Sequence, residues 1–505
     1  MSRRMAALAA SVALSLAWIL SASAVGASAK RGESDPPTVS GPVTGGDGIQ
    51  ALGIGYDFDA VGYEFEEFFV EGDAVGYEKI GHLPRNGKWR VKETASAPFK
   101  TRMIVIRPND PGDFSGTVVV EWLNVTGGVD AGPTMINAHN QILRSGAAWV
   151  GVTAQAVGIN GAAETVQSDV VDIPEGGLVR SDPERYGSLS HPGDLYANDI
   201  FTQAAVAIRG EAKGVQPFDG FDVKRLLATG ESQSAGRLTT YVNAVHPLVG
   251  EYDGFLIYSR GATPAPLGER QPDVVDPSIP EGARIRRDID VPVFTFETEY
   301  DVVGGYADAR QPDSKNFRAW EVTGQSHQDA YSASGVALSD LGDGAAERRL
   351  LDPAKADGGA LSCVEPINTG AHYAPLQAAL SHLETWVRKG TPPPKFPRIK
   401  TTGNGEDIEA VRDELGIAKG GVRPPNIDVP LVANVGDATN LPGFCRVFGH
   451  TYPFDAETLA ELYPNGTSDY VKDFEKAADQ AVKAGIWLEP EAENFKKAAN
   501  EITFP

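Results

Sequence analysis

The segment Gly230-Glu-Ser-Gln-Ser234 carries the residue best suited to nucleophilic chemistry. It follows a short apolar run and precedes a stretch with helical spacing, so Ser232 is predicted where a strand turns sharply into a helix. Such a turn exposes the serine hydroxyl, and it requires small residues two positions before and after the serine. Gly230 and Ser234 meet that requirement, which makes Ser232 the candidate nucleophile.

A serine hydroxyl needs a base that removes its proton, and the base needs an acid that orients it. His327 follows a predicted strand, at the edge of the sheet where open α/β folds bind their ligands. Asp301 and Glu299 follow the preceding strand in the same way, and the sequence does not choose between these two carboxylates. His372, just before a late helix, is the alternative base.

Acyl transfer also needs N–H donors for the oxyanion that forms at the carbonyl oxygen. One donor is predicted to be the backbone N–H of Gln233, directly after the nucleophile. The second is expected from the loop that follows an earlier strand, at Asn124 or Leu123. Glu231 is expected to join a polar network or to line the substrate pocket, and a structural salt bridge is the alternative.

Strands and helices alternate along the middle of the chain, and this predicts a largely parallel sheet with helices on both faces. Strands are predicted at the short apolar runs 103–106, 116–122, 147–153, 224–229, 252–258, 291–296 and 317–322. Helices are predicted at helical spacing of apolar residues over 194–209, 234–244, 376–387 and 468–484. The first two strands are expected to be neighbours in the sheet.

The order of these elements predicts a catalytic α/β domain over 96–400, preceded by a leader and cover over 30–95. Connections without periodicity near 155–193, 261–290 and 329–372 are predicted to be lids, because loops this long in a compact domain are usually functional. Residues 401–505 are expected to pack on the core, either over the pocket or as a separate subdomain.

The 505 residues are 41% hydrophobic and 22% charged, which excludes a disordered chain. Lys and Arg number 45 against 68 Asp and Glu, and the net charge of −23 disfavours nucleic acid as a partner. No Cys and His spacing resembles a metal site, and the predicted chemistry needs neither metal nor cofactor. Cys363 and Cys445 are predicted to form a disulfide, with two separate thiols as the alternative.

Residues 1–29 have the pattern of a secretory signal, with Arg3 and Arg4 before an apolar stretch and small residues that permit cleavage after Ala29. We therefore expect a secreted, periplasmic or cell-envelope protein. The alternative is that the same apolar stretch stays uncleaved as a membrane anchor. No second apolar segment approaches the length that spans a bilayer.

Longer stretches carry a family pattern. They are GESQSAGR (230–237), EWLNVTGG (121–128), DPERYGSLSHPGDLYANDIFTQAA (182–205), ETEYDV (297–302), WVRKGTPPP (386–394) and LYPNGTSDYVKDF (462–474). Together they resemble the bacterial alpha/beta hydrolase domain family over nearly all of the chain after the signal. The resemblance implies an α/β-hydrolase fold and serine esterase chemistry. It assigns the nucleophile to Ser232, the base to His327 and the acid to the Glu299/Asp301 region.

The stretch 182–205 also contains Arg185 and Tyr186, which are candidates for lining a substrate pocket, with a structural cover as the alternative. The combined features predict an exported serine hydrolase that cleaves a small or medium-sized carboxylic ester through an acyl-enzyme intermediate. An acyltransferase with the same catalytic residues is the second hypothesis. A non-catalytic binding protein on a hydrolase fold is the third, because a fold does not by itself imply an activity.

Overall fold

A ten-stranded sheet forms the centre of the computed structural model, which describes residues 35–161, 177–268, 276–333, 335–352, 363, 366–437 and 443–503. The strands are β1 (Thr38–Ser40), β2 (Tyr63–Lys79), β3 (Val91–Pro108), β4 (Thr117–Trp122), β5 (Ala148–Val152), β6 (Lys213–Gly214), β7 (Arg225–Glu231), β8 (Gly254–Tyr258), β9 (Val293–Thr298) and β10 (Phe317–Val322). Their order across the sheet is β10-β9-β8-β7-β4-β5-β3-β2-β1-β6. The predicted signal, residues 1–29, lies outside the described residues.

The six strands from β10 to β5 run parallel, as the alternation of strands and helices predicts. β5, β3, β2 and β1 then pair in antiparallel fashion. Every residue of β4 is buried, and its sequence TVVVEW is nearly continuous in apolar residues. This composition is typical of a parallel strand that is covered on both faces.

Helices cover both faces of the sheet. They are α1 (Pro133–Arg144), α2 (Ala156–Asn160), α3 (Gly177–Ser181), α4 (Pro183–Tyr186), α5 (Ala197–Ile208), α6 (Gln233–Thr240), α7 (His246–Val249), α8 (Glu299–Val303), α9 (Ala330–Ala333), α10 (Ala345–Leu351), α11 (Tyr373–Lys389), α12 (Pro425–Asp428), α13 (Ala456–Leu462), α14 (Thr467–Ala484) and α15 (Glu489–Glu501). Successive residues of β4 join different cores: Val119 packs with α1 and α11, and Val118 and Val120 pack with α5 and α6. No helix of the described residues is long and apolar enough to cross a membrane.

Two strands that were expected to be neighbours are separated in the sheet. β3 and β4 follow each other in the chain, but β5 lies between them. β4 is bonded on one edge to β5 and on the other to β7, both in parallel, so no edge remains for β3. β3 instead pairs with β2 along most of its length, which brings 63–79 into the central sheet.

The C-terminal segment packs on the face that carries α1 and α11. Phe495 of α15 stacks on Trp487 with ring centroids 4.5 Å apart, and it also lies against Tyr373 of α11. A short hairpin of β13 (Val432–Val435) and β14 (His450–Pro453) follows a smaller one, β11 (Thr401–Thr402) with β12 (Glu409–Ala410). The described parts of the predicted lids contain short helices, which are α2, α3 and α4 in the first lid and α9 and α10 in the third.

A disulfide joins Cys363 to Cys445, 82 residues further along the chain. Cys445 belongs to a 3₁₀ helix, Gly443–Val447, and the carbonyl of Val447 accepts a hydrogen bond of 2.9 Å from the backbone N–H of Gln328. The disulfide therefore fixes a segment that contacts the neighbour of His327.

Replacing both cysteines by serine should lower the free energy of unfolding by about 2–4 kcal/mol, because the disulfide closes a long loop and restricts the unfolded chain. Urea unfolding followed by circular dichroism measures the change. Wild-type protein treated with reductant is the control and should match the double variant. An unchanged transition midpoint would contradict a stabilising role for this bond.

Candidate active site

Ser232 lies at the turn between β7 and α6 in a backbone conformation that residues with side chains rarely adopt. Its φ is 57° and its ψ is −115°. The backbone N–H of Ser232 donates to the carbonyl of Tyr258 at 3.1 Å, and the Ser232 carbonyl accepts from Gly236. Such strain persists only where the surrounding structure enforces it, and it is often found at reactive residues.

The residues two positions on either side of Ser232 have little room. A Cβ atom at Gly230 would lie 3.0 Å from Leu238 Cδ1 and 3.2 Å from the Cβ of Ser234, so a larger residue would force these neighbours to shift. The Ser234 hydroxyl is buried and donates to the carbonyl of Leu123 at 3.2 Å. Serine at this position thus ties the turn to the loop after β4.

Three predicted residues form one hydrogen-bonded chain. The Nε2 atom of His327 lies 2.9 Å from the Oγ of Ser232, and its Nδ1 lies 2.7 Å from the Oδ1 of Asp301. With the proton on Nδ1, the ring donates to Asp301 and accepts from the Ser232 hydroxyl, which is the arrangement that a general base needs. Ser232 itself is half-buried.

Asp301 is held in place by the N-terminus of α8. Its Oδ2 accepts from the backbone N–H and from the hydroxyl of Thr298, both at 2.7 Å. The Thr298 hydroxyl in turn accepts from the Asp301 backbone N–H, which completes a capping box. One carboxylate oxygen therefore caps the helix, and the other remains directed at His327.

Glu299, the alternative acid, does not reach His327. Its carboxylate accepts from the backbone N–H groups of Gly324 and Gly436 and pairs with Arg412 at 2.8 Å. Glu299 and Asp301 lie two positions apart at the start of a helix and point in different directions. Glu299 consequently links the loop before His327 to the C-terminal segment.

The expected second oxyanion donors, Leu123 and Asn124, are already used. The N–H of Leu123 donates to Val152, and that of Asn124 donates to Ala131. Both bonds extend β-type pairing beyond the end of β4, which the sequence pattern did not reveal. Within the described residues of this loop, the N–H groups of Val125 and Gly127 donate no hydrogen bond, whereas those of Thr126 and Gly128 donate to Asn124 and Val125. The N–H of Gln233, in the first turn of α6, is likewise left free by the helix.

Glu231 directly precedes Ser232 and contacts the same histidine. Its Oε1 is 3.2 Å from the Nε2 of His327 and accepts from the side-chain amide of Gln328, and its Oε2 accepts from the amide of Asn124. Burial raises the pKa of Glu231 to about 7. Burial lowers the pKa of His327, but the charges of Glu231 and Asp301 outweigh it and raise the value to about 9.

Arg185 and Tyr186, the candidates for lining a pocket, belong to a buried network elsewhere. The guanidinium of Arg185 pairs with Glu67 at 2.7 Å and donates to the carbonyls of Val43 and Gly45. The Tyr186 hydroxyl donates to Glu67 and contacts Arg102. This stretch fastens the N-terminal segment to β2 and β3, which fits the structural alternative.

His372, the alternative base, is buried with its Nδ1 3.6 Å from Asp329.

Two residues that support the site were missed from the sequence, Thr298 and Gln328. Thr298 precedes Asp301 by three positions, and this T-x-x-D spacing is a recognisable capping signal. No group of three or more His, Cys, Asp or Glu within the described ranges is arranged to hold a metal ion.

The family model of the alpha/beta hydrolase domain matches residues 39–497. The chain belongs to this alpha/beta hydrolase family. The match covers most of the sequence, and it includes the C-terminal hairpins and helices as well as the central sheet. No curated protein matches the chain.

Solved structures of two esterases and of a serine hydrolase resemble about half of this chain. A carboxylesterase from Lactobacillus plantarum is 11% identical, with a TM-score of 0.26, covering 49% of this chain and 82% of its own. Acetyl xylan esterase 1 from a Thermoanaerobacterium species is 11% identical, with a TM-score of 0.25, covering 49% and 79%. A serine hydrolase without lid from Xanthomonas campestris is 9% identical, with a TM-score of 0.25, covering 49% and 83%.

The pKa of His327 predicts an alkaline pH dependence. Only the neutral imidazole can accept the serine proton, and its fraction grows as the pH rises through about 9. We expect kcat/KM for ester hydrolysis to rise with pH and to reach half of its maximum near pH 9. Rates measured from about pH 6 to pH 10.5, corrected for spontaneous hydrolysis, test this. A plateau that is already reached at pH 7 would contradict it.

The two neighbouring carboxylates should respond differently to substitution. Asp301→Asn removes the group that orients His327 and should lower kcat/KM by about 10³ to 10⁴-fold with little loss of stability. Glu299→Gln should keep kcat/KM within about tenfold of the wild-type value. Its free energy of unfolding should fall by about 1–3 kcal/mol, because hydrogen bonds to a charged group are lost. Steady-state kinetics and urea unfolding of both variants measure this. The opposite pattern would make Glu299 the acid.

Proposed function

We propose that this alpha/beta hydrolase is a serine hydrolase that cleaves carboxylic esters through an acyl-enzyme intermediate. The observation that carries the proposal is the continuous chain from Ser232 through His327 to Asp301, with links of 2.9 and 2.7 Å. The strained backbone of Ser232 supports it, because that conformation presents the hydroxyl at the end of a strand.

In the first half of the reaction, the Oγ of Ser232 attacks the ester carbonyl carbon while its proton moves to the Nε2 of His327. The carbonyl π electrons move to the oxygen, and we propose that the N–H groups of Gln233 and Val125 bind the resulting oxyanion. When the tetrahedral intermediate collapses, the C–O bond to the leaving alcohol breaks. The departing oxygen takes the proton from His327.

In the second half, water attacks the acyl carbon and gives its proton to His327. Collapse of this intermediate releases the carboxylic acid, and the proton returns to Ser232. Asp301 accepts hydrogen bonds from Thr298 and from His327, and it keeps the imidazole oriented through both halves of the reaction. An alcohol in place of water would give transesterification by the same steps.

We also propose that the protein is exported, with cleavage after Ala29. The apolar segment behind Arg3 and Arg4 supports this, and so does the disulfide between Cys363 and Cys445. Disulfides of this kind persist in oxidising compartments outside the cytosol.

Hydrolysis of p-nitrophenyl acetate by the purified protein tests the proposed activity. We expect a burst of nitrophenol under pre-steady-state conditions if deacylation is slower than acylation, and Ser232→Ala should lower the rate by at least about 10³-fold. Ser145→Ala, at the far end of α1, is the matched control and should behave like wild type. Equal turnover by wild type and Ser232→Ala would contradict the proposal. Product analysis in the presence of an added alcohol distinguishes the two activities, because a hydrolase releases the carboxylic acid and a transferase forms a new ester.

A further inference from the structure

A second carboxylate contacts the catalytic imidazole on the side of the nucleophile. The Nε2 atom of His327 faces both the Oγ of Ser232, at 2.9 Å, and the Oε1 of Glu231, at 3.2 Å. Asp301 occupies the opposite nitrogen at 2.7 Å. Each nitrogen of the ring therefore has a carboxylate oxygen within contact distance.

Glu231 is fixed by donors that suit an ionised carboxylate. Its side chain is 4% exposed, and amide groups of Gln328 and Asn124 donate to its two oxygens at 3.1 and 3.2 Å. Gln328 is itself held, since its side-chain oxygen accepts from the hydroxyl of Ser332 at 2.8 Å. Within the described residues, Glu231 forms no ion pair with Lys or Arg, so the imidazole is the cation it faces.

The other titratable groups around His327 do not supply a charge that replaces Glu231. Burial raises the pKa of Tyr300, whose ring centroid is 5.6 Å from that of His327, and burial lowers the pKa of His372. Both are therefore neutral at moderate pH. Asp329 lies near His372 and accepts hydrogen bonds from backbone N–H groups, and it does not contact His327.

We propose that Glu231 is a positioning residue that acts through His327, stabilising the imidazolium that forms when Ser232 loses its proton. The proposal rests on the function proposed above. After proton transfer, the new Nε2–H lies between the serine oxygen and Glu231, which gives the cation a second ion pair. Glu231 accepts no proton in this step, so His327 still delivers it to the leaving alcohol.

This arrangement has two opposing consequences. A base that is flanked by two carboxylates binds a proton more tightly, which favours deprotonation of Ser232 at alkaline pH. The same charges keep His327 protonated in the resting enzyme at neutral pH, where it cannot act as a base. Glu231 therefore determines the pH range over which the enzyme works.

The test compares Glu231→Gln with wild type over the full pH range. Removing one charge at this distance should move the midpoint of kcat/KM to lower pH by about one to three pH units. The maximum at high pH should fall by about tenfold, because the remaining base is weaker. Glu299→Gln, which removes a buried carboxylate that does not contact the ring, is the matched control and should keep the wild-type midpoint.

A titration that does not depend on activity separates this proposal from the proposed function. The imidazole resonances of His327, assigned by their loss in His327→Gln, report its pKa by NMR in wild type and in Glu231→Gln. A lower pKa in the variant supports the proposal even if no ester is cleaved, in which case only the proposed function fails. An unchanged pKa, or an unchanged kinetic midpoint with reduced kcat, would overturn it.

If Glu231→Gln does not fold, Glu231→Asp provides the same test. It keeps the charge but withdraws it from the ring by one methylene group, so the pKa of His327 should lie below that of wild type. A pKa equal to that of wild type in this folded variant would overturn the proposal.

Discussion

The imidazole of His327 has to reach Ser232 and Asp301 at the same time, and the architecture around the site depends on this constraint. The three residues lie at the carboxyl ends of β7, β9 and β10, with β8 between the first two. Parallel pairing brings these ends to one edge of the sheet, and each end continues differently: a strained turn, a capped helix and a loop. The distances of 2.9 and 2.7 Å require all three connections to be fixed together.

Much of that fixation comes from the C-terminal segment. Gly436 and Arg412 bind Glu299 at the start of α8, and Val447 accepts from Gln328 beside the histidine. Val322, at the end of β10, also forms a bridge to Val422. These contacts link residues after 400 to the loops that carry Asp301 and His327. The C-terminal segment therefore holds the loops of the site in place, and its helices α14 and α15 also pack on the core.

The main strands and the strained turn at Ser232 could be predicted from the sequence because each depends on local pattern. Short apolar runs mark the parallel strands, and small residues around Ser232 mark the turn. The choice between Asp301 and Glu299 depends on the direction of two side chains in one helical turn, which the hydrophobic pattern does not encode. A capping signal that begins at Thr298 would have favoured Asp301.

The failed predictions all concern pairing between distant parts of the chain. The N–H groups of Leu123 and Asn124 are consumed by Val152 and Ala131, and nothing near residue 124 indicates that. Arg185 was predicted to line a substrate pocket. In the structure it forms an ion pair with Glu67, which belongs to a strand more than a hundred residues earlier in the chain. In the same way, β5 separates β3 from β4 although it follows both in the chain.

The proposed mechanism requires Ser232 to be an activated nucleophile. Intact-mass analysis of the purified protein after reaction with a fluorophosphonate, followed by peptide mapping, tests this requirement. We expect a single adduct on Ser232 in wild type and no adduct in Ser232→Ala or His327→Ala. An adduct on another residue, or a folded wild-type protein that remains unlabelled by both a large and a small phosphonate, would contradict it.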